Sequence, residues 1–350
     1  MTHLLDWLDV EEDDWKACIL EALAFGEERD RAWGRHDGSA LGMVFFNDSL
    51  RTRVSMELAA SELGVRSVTV TPGSGTWGFA WDEGRPMNGD EAEHIREAVG
   101  VMSRYCHVLG VRLFASGTDR TADVSDALLT RFAASSTVPV INLESASRHP
   151  CQALADATVL HRHFGEGEDL AGKKFVLSWA PHPKPLPMAV PNSTLLMATR
   201  LGMDVVLARP DGFELDESVI DAARRQATTA GGSFSETDDQ NAAADGAHVI
   251  YAKAWGGFGR YDDPESEADL RLSKSDWRIT SETMQLTDGG QFMHCLPVRR
   301  GVVVDDAVLD GESSLHLDQA EFRLHAQKAI LDWLLRDRNL RDGESAGDGR

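Results

Sequence analysis

Leu41-Gly-Met-Val-Phe-Phe46 runs through Asn47-Asp48 into Ser49-Leu50-Arg51-Thr52-Arg53, and this stretch decides the fold. The opening run is apolar throughout, as a strand buried on both faces must be. After it, Val54, Met56, Leu58 and Leu63 recur at helical spacing, so the chain turns from strand to helix across Ser49–Arg53. Free backbone N–H groups, the positive end of the helix dipole, two hydroxyls and guanidinium forks then converge on one small volume. That is the chemistry of a phosphate cradle. Taken alone, the pentapeptide reads equally well as an ordinary serine cap with arginines facing solvent.

Working outward, apolar runs at Leu41–Phe46, Ser67–Val70, His107–Phe114 and Val138–Leu143 alternate with helical patterns at Arg51–Leu63, Glu91–Tyr105 and Val124–Ala134. An earlier helix is expected to start at a capping box, Asp9-Val-Glu-Glu12, with Trp15, Ile19 and Ala22 on one face. After a connecting helix over Gln152–Phe164, a second series follows at Lys174–Trp179, Asp204–Ala208, His248–Ala252 and Gln291–Cys295, with helical patterns at Ser193–Arg200 and Glu217–Ala230. Strand–helix alternation implies parallel sheets covered on both faces. The expected fold is therefore α/β: two doubly wound domains, each a mainly parallel sheet flanked by helices. We place the first over 1–150 and the second over 151–319, with an amphipathic helix at 320–336 packing back on the first and a disordered tail at 337–350.

The 350 residues carry 35 basic and 57 acidic side chains, a formal charge of −22, which disfavours nucleic-acid and anionic-membrane partners. In such a field, local clusters such as Arg51/Arg53 and Arg299/Arg300 stand out as candidate anion sites. Lysine is scarce, 7 against 28 arginines, and an acidic, lysine-poor surface suits a salty cytoplasm where charge is screened. The 4 cysteines form no CxxC pair, which argues against a disulfide framework or a zinc site and for a reducing compartment. No apolar stretch reaches membrane-spanning length and no leader pattern opens the chain, so a cytoplasmic location is expected.

Two further segments fall where crossover loops begin. His149-Pro-Cys-Gln152 leads into Ala153-Leu-Ala-Asp156, and His294-Cys-Leu-Pro297 follows the last strand of the second series. Each alone is an ordinary turn or strand end. In order behind SLRTR, they resemble the SxRTR, HPxQxLAD and HCLP signatures of the aspartate/ornithine carbamoyltransferase superfamily, over nearly the whole chain. The resemblance implies transfer of a carbamoyl group from carbamoyl phosphate to an amine. It assigns Ser49, Leu50, Arg51 and Thr52 to the phosphate, with Arg112 and Arg323 as further partners, and His149, Pro150, Cys151 and Gln152 to the carbamoyl end. Arg51, Thr52, Arg112 and His149 would stabilise the developing oxyanion. Cys295 and Leu296 would orient the attacking amine through main-chain groups; Cys295 has the look of a nucleophile, but the superfamily implies no covalent intermediate. No cofactor and no metal are implied.

The acceptor follows from a departure. Ornithine carbamoyltransferases carry an aspartate shortly before Ser-Met-Gly, opposite the ornithine α-ammonium; this chain has Tyr251-Ala-Lys253-Ala-Trp255-Gly-Gly257 there. A lysine repels an α-ammonium but suits the carboxylates of an N-acylated ornithine. This pattern, with Thr76-Trp77-Gly78, Glu93-His94, Leu143-Glu144 and the run Trp179–Pro187, resembles the N-acylornithine branch of the family, which serves arginine biosynthesis. The resemblance carries Glu144, His182, Lys253, Arg299, Cys295, Leu296 and Ala92 over to the acyl-ornithine, and implies a homotrimer in which Trp77 reaches a neighbouring subunit's site. The acetyl-type pattern has a glutamate directly before the Glu-His pair, the succinyl type a proline. Ala92 matches neither, removes a like charge, and favours N-succinyl-L-ornithine, with N-acetyl-L-ornithine as the alternative.

Other classes fit less well. No GxGxxG opens a helix after a strand, against a dinucleotide-dependent dehydrogenase. His161 and His163 would face apart on a helix, a poor metal pair. A noncatalytic homologue that binds anionic metabolites has no chemical need for Arg51, Thr52, Arg112, His149, Gln152 and Arg323 together.

Overall fold

The computed structural model describes residues 2–29, 33–165 and 170–347, with 337–347 described by backbone only. The first half contributes β1 (Ala40–Phe45), β2 (Arg66–Val70), the short β3 (Phe79–Ala80) and β4 (Glu93–His94), β5 (Val108–Arg112) and β6 (Val140–Glu144). The second contributes β7 (Lys174–Trp179), β8 (Asp204–Ala208), β9 (Ser233–Thr237), β10 (Val249–Lys253) and β11 (Gln291–Met293). Strand order is β2-β1-β5-β6 in one sheet and β11-β10-β7-β8-β9 in the other, with every pairing parallel. The α/β architecture is the one expected: two doubly wound, parallel sheets flanked by helices.

The strand orders locate the chemistry. In the first sheet the chain leaves β1 toward β2 and returns to the other side of β1 with β5, so β1 and β5 flank a switch point. Ligands of open α/β sheets bind outside the carboxyl ends of strands at such points. Register puts Phe45 beside Arg112, so the Ser49–Arg53 turn and the Arg112 side chain leave the same end of the sheet. Arg112 is in turn opposite Glu144 on β6. The second sheet reverses between β7 and β10, where Trp179 is opposite Lys253. Both switch points therefore carry the residues singled out by the motifs.

One large apolar core runs from Leu4 to Leu335 and joins the two halves, while a smaller one around Val44, Val111 and Phe132 fills the other face of the first sheet. The final helix, His316–Gly347, packs on the helices Glu12–Glu27, Arg51–Glu62 and Pro150–Phe164. This brings its Arg323 to the first switch point. Gly42 in β1 is tightly packed: a Cβ there would lie 2.8 Å from Cys106 Sγ, which would have to shift. Among the described residues, no helix is long and apolar enough to cross a membrane.

Several boundaries differ from expectation, each for a local reason. The first helix starts at Glu12 with Glu11 at its cap, so Asp9 forms no capping box. The expected Glu91–Tyr105 helix starts at Ile95, because Glu93 and His94 pair with Phe79 and Ala80. The Val124–Ala134 pattern is two helices, Arg120–Val124 and Ala127–Ala134, broken at Asp126 with φ 49°. That left-handed residue is held by its own carboxylate, which accepts from Ser145 Oγ, Ser147 N and Ser147 Oγ. β9 was not expected. It is an edge strand with largely exposed side chains, and so lacks an apolar run. Residues 348–350 and the side chains of 337–347, where the tail was expected to be disordered, lie outside what is described.

Candidate active site

The Arg51–Glu62 helix opens as its sequence suggests. Leu50 occupies the cap position, and Ser49 Oγ accepts from Thr52 N at 3.2 Å. Thr52 is buried, and its Oγ1 accepts from Arg323 Nη2 at 2.8 Å. The other amino group of Arg323 donates to Gln152 Oε1 at 2.7 Å. One guanidinium thus joins the SLRTR turn, the HPCQ turn and the final helix.

Beside it, Arg112 donates to Glu144, and Glu144 Oε2 lies 3.4 Å from His149 Nε2. His149 caps the Pro150–Phe164 helix, its backbone N–H fixed by Ser193 Oγ at 2.8 Å. Burial, reinforced by Arg323, Arg112, Arg51 and Lys253, holds the imidazole well below its ordinary range, so it stays neutral. His149 Nδ1, Arg112 Nε and Arg323 Nε are buried without a hydrogen bond inside the protein. Such groups are costly unless a ligand satisfies them. Arg51 is close enough for its charge to interact with those of Arg112, Arg323, Glu144 and Cys295.

The second half presents a looser set. Lys253, at the end of β10, is buried, and among the described residues no carboxylate pairs with it. Its charge acts on His149, His182 and Cys295, so it stands between the two halves. His182 Nε2 accepts from Arg299 Nε at 3.0 Å. The segments after β7 and β10 are fixed by a pair the sequence did not suggest. Buried Arg271 bonds Glu267 and donates to His182 O at 2.7 Å, while Glu267 accepts from Gly257 N at 3.0 Å.

After β11, Leu296 has φ 57°, held by His294 Nδ1 accepting from Leu296 N at 2.8 Å. A leucine in the left-handed region costs about 1–2 kcal/mol. Cys295 is buried, and burial raises its thiol above the ordinary value. A neutral thiol is a poor nucleophile, which agrees with a positional role. Cys151 is likewise inert, pushed up to about 11 by burial, with its Sγ 3.7 Å from Asn142 O.

Several residues singled out by the sequence fall elsewhere or have other partners. Arg53 is exposed and pairs with Glu57, one turn along. Arg300 is spent on Asp310 and Asp306, so of that pair only Arg299 reaches His182. Trp77 is 54% exposed, with Nε1 donating to Glu93 Oε2 at 2.8 Å; the adjacent Ala92 is also exposed. Neither takes part in the hydrogen bonding around Arg323. Glu144, expected on the acyl-ornithine, is engaged by Arg112 and His149. A cavity of about 770 Å³ lies elsewhere, between the Glu12–Glu27 and Glu217–Ala230 helices, and no candidate site residue lines it. Among the described residues, no cluster of potential metal ligands occurs.

The sequence places Asp156 in the HPxQxLAD signature and Tyr251 beside Lys253 but gives neither a role, and it does not mark Gln319 at all. Asp156 is fully buried and accepts from Gln152 Nε2, Gln319 Nε2 and Tyr251 OH at 2.7, 2.8 and 2.9 Å. An aspartate inside the otherwise apolar run Ala153–Leu160, closing that signature, was the available signal of its role.

Comparison with known proteins agrees with this geometry. Residues 2–162 match the family described as aspartate/ornithine carbamoyltransferase, carbamoyl-P binding domain, and residues 188–334 match its Asp/Orn binding domain. The chain is 42% identical over 332 residues to the N-acetylornithine carbamoyltransferase of Xanthomonas campestris pv. campestris, covering 95% of this chain and 97% of that protein. It is 34% identical over 322 residues to the N-succinylornithine carbamoyltransferase of Bacteroides thetaiotaomicron, covering 92% and 95%. Among solved structures, acetylornithine transcarbamylase complexed with acetylcitrulline superposes with a TM-score of 0.92 at 41% identity, over 95% of this chain and 99% of that one. A mutant of N-acetyl-L-ornithine transcarbamylase, with one glutamate changed to alanine, is complexed with carbamyl phosphate and N-succinyl-L-norvaline. It matches equally well, at TM-score 0.92 and 42% identity over 95% and 100%.

Proposed function

The chain belongs to the aspartate/ornithine carbamoyltransferase family, in its N-acylornithine branch, and from that premise we propose that it transfers the carbamoyl group of carbamoyl phosphate to the δ-amine of an N-acyl-L-ornithine. The observation that carries the reading is the convergence of Thr52, Gln152 and Arg323 from three distant segments, beside Arg112 and His149, whose Nε and Nδ1 respectively lack partners in the protein.

The Ser49–Thr52 turn and Arg51 hold the phosphate at the helix N-terminus. Arg112, Thr52 and neutral His149 polarise the carbamoyl oxygen and stabilise the oxyanion formed when the neutral δ-amine attacks; Gln152 fixes the carbamoyl amide. The new C–N bond forms, the C–O bond to phosphate breaks, and the departing phosphate carries its charge onto the same cradle. Cys295 and Leu296 align the amine through backbone groups. Lys253, with Arg299 and His182, meets the carboxylate of the acyl-ornithine, where an α-ammonium would be repelled.

For the acyl group, the relatives support N-acetyl-L-ornithine over the succinyl acceptor expected from Ala92, since identity is 42% to the acetyl enzyme and 34% to the succinyl one. The second reading, N-succinyl-L-ornithine, keeps one specific observation: a relative that lost one glutamate is found with a succinyl ligand, and this chain has Ala92 where the acetyl-type pattern has a glutamate. Side-by-side kcat/KM for the two acceptors decides. Exposed Trp77, with exposed Val54, Leu58, Val68, Val101 and Tyr105 on the first half, supports a homotrimer in which Trp77 completes a neighbour's site. Sedimentation at a monomer mass would refute it.

A further inference from the structure

We propose that Asp156 is a positioning residue that sets both substrate-facing sides of the cleft at once, fixing the Gln152 amide on one side and, through Gln319, the His294–Pro297 turn on the other. The inference rests on the carbamoyl-transfer reading and assigns a role to a residue outside its substrate contacts.

An ionised carboxylate only accepts hydrogen bonds. Oδ1 of Asp156 receives Nε2 of Gln152 and Nε2 of Gln319, so both amides must turn their oxygens outward. Gln152 Oε1 then meets Arg323, and Gln319 Oε1 accepts from His294 N at 2.8 Å. His294 in turn fixes Leu296 N. Oδ2 takes the hydroxyl of Tyr251, two residues before Lys253 on β10.

With this carboxylate absent, either glutamine amide can flip, and a flip sets Nε2 against Arg323 or against the His294 N–H. Three elements, the Pro150–Phe164 helix, the final helix and β10, thus share one buried acceptor. Burial raises Asp156 to about 6, against the three hydrogen bonds that lower it, so the group is ionised at neutral pH. Burial, with the neighbouring Asp156 charge, keeps Tyr251 protonated as a donor.

Four variants test the assignment. Asp156→Asn retains an Oδ1 acceptor for both glutamines and can turn Nδ2 toward the Tyr251 oxygen, so it should keep kcat within about 10-fold of wild type. Asp156→Ala removes the acceptor and should lower kcat about 100-fold, the usual effect of small misplacements in a site. If Asp156→Ala fails to fold, Gln319 carries the test. Gln319→Leu frees only the His294 turn, and should raise KM for the N-acylornithine about 10-fold while KM for carbamoyl phosphate holds. Gln319→Glu, nearly identical in shape, sets two carboxylates face to face and should behave at least as badly.

Wild-type kinetics in Asp156→Ala or in both Gln319 variants would overturn the assignment. So would equal loss in Asp156→Asn and Asp156→Ala, matched by equal falls in melting temperature, which is the mark of a purely structural role. Calorimetric binding of carbamoyl phosphate, read without turnover, separates this inference from the transfer reading. Weaker binding to folded Asp156→Ala supports the positioning role and unchanged binding contradicts it, whereas an inactive wild type counts against the transfer reading alone.

Discussion

The two sides of the cleft are built to different standards. On the side proposed for carbamoyl phosphate, Thr52, Arg112, His149, Gln152 and Arg323 are all buried and tied to one another or to Glu144 and Asp156. On the side proposed for the acyl-ornithine, Arg299 is exposed and bonded to a half-buried His182, and Lys253 has no partner carboxylate among the described residues. Trp77 lies just before β3, and Ala92 ends the exposed connection from β3 to β4. Groups that stabilise a transition state gain from a rigid, desolvated setting. Groups that choose among acceptors need only meet the part of the substrate that varies.

That contrast orders the expected effects of substitution. The largest is on the rigid side. Arg323→Ala strips Gln152 and Thr52 of their partner and should cut kcat/KM by about 1,000-fold or more, with a stability loss of about 1–3 kcal/mol for leaving two buried acceptors without their donor. Arg51→Ala removes a proposed phosphate contact and should cost about 100-fold with melting temperature preserved. Equal effects of the two on folding would erase the distinction between network and ligand contact.

On the open side the losses should be smaller and confined to one substrate. Lys253→Ala should raise KM for the N-acylornithine about 10-fold or more, leave KM for carbamoyl phosphate near wild type, and leave stability intact, because no buried partner is orphaned. A rise in KM for both substrates would mean that Lys253 belongs to the rigid side. Cys295→Ser should fall by less than about 5-fold, since the raised thiol is neutral at working pH; abolition of activity would restore a nucleophilic role.

The buried carboxylate has a pH signature. With Asp156 raised from 3.8 to about 6, the folded protein binds more protons than the unfolded chain between those values, so this group lowers stability as pH rises through them. The stability of Asp156→Asn relative to wild type should therefore grow from pH 4 to pH 7, by up to about 3 kcal/mol. A pH-independent difference in denaturant unfolding would mean that Asp156 is not protonated more readily in the native state. The smallest effect concerns salt. Raising it to about 1 M screens repulsion between an anionic substrate and a protein of charge −22, and should hold or lower KM, while close buried pairs change little. Activity lost with the fold intact would contradict this.

Much of the rigid side was legible in sequence because it depends on local order: a strand running into SLRTR, and HPCQ and HCLP at loop starts. Arg323, Arg112 and Lys253 came through the family resemblance, and strand register sets the latter two at the ends of β5 and β10. What escaped was set by tertiary contact. Asp156 and Gln319 meet across a separation of 163 residues, and neither carries a local signal of the other. Arg300 looked like an anion site until Asp310 and Asp306 closed on it. β9, exposed at a sheet edge, gave no apolar run, and Asp126 broke a continuous helical pattern through its own hydrogen bonds with Ser145 and Ser147.

The most direct test is steady-state turnover of the purified protein with carbamoyl phosphate and, in parallel, N-acetyl-L-ornithine, N-succinyl-L-ornithine and free L-ornithine. An acylated acceptor should give an N-acylcitrulline and phosphate in equal amounts, with kcat/KM for ornithine lower by about 100-fold or more, because the proposed acceptor site sets Lys253 against its α-ammonium. Preference for free ornithine, or no turnover with any of the three, would contradict carbamoyl transfer to an N-acylornithine.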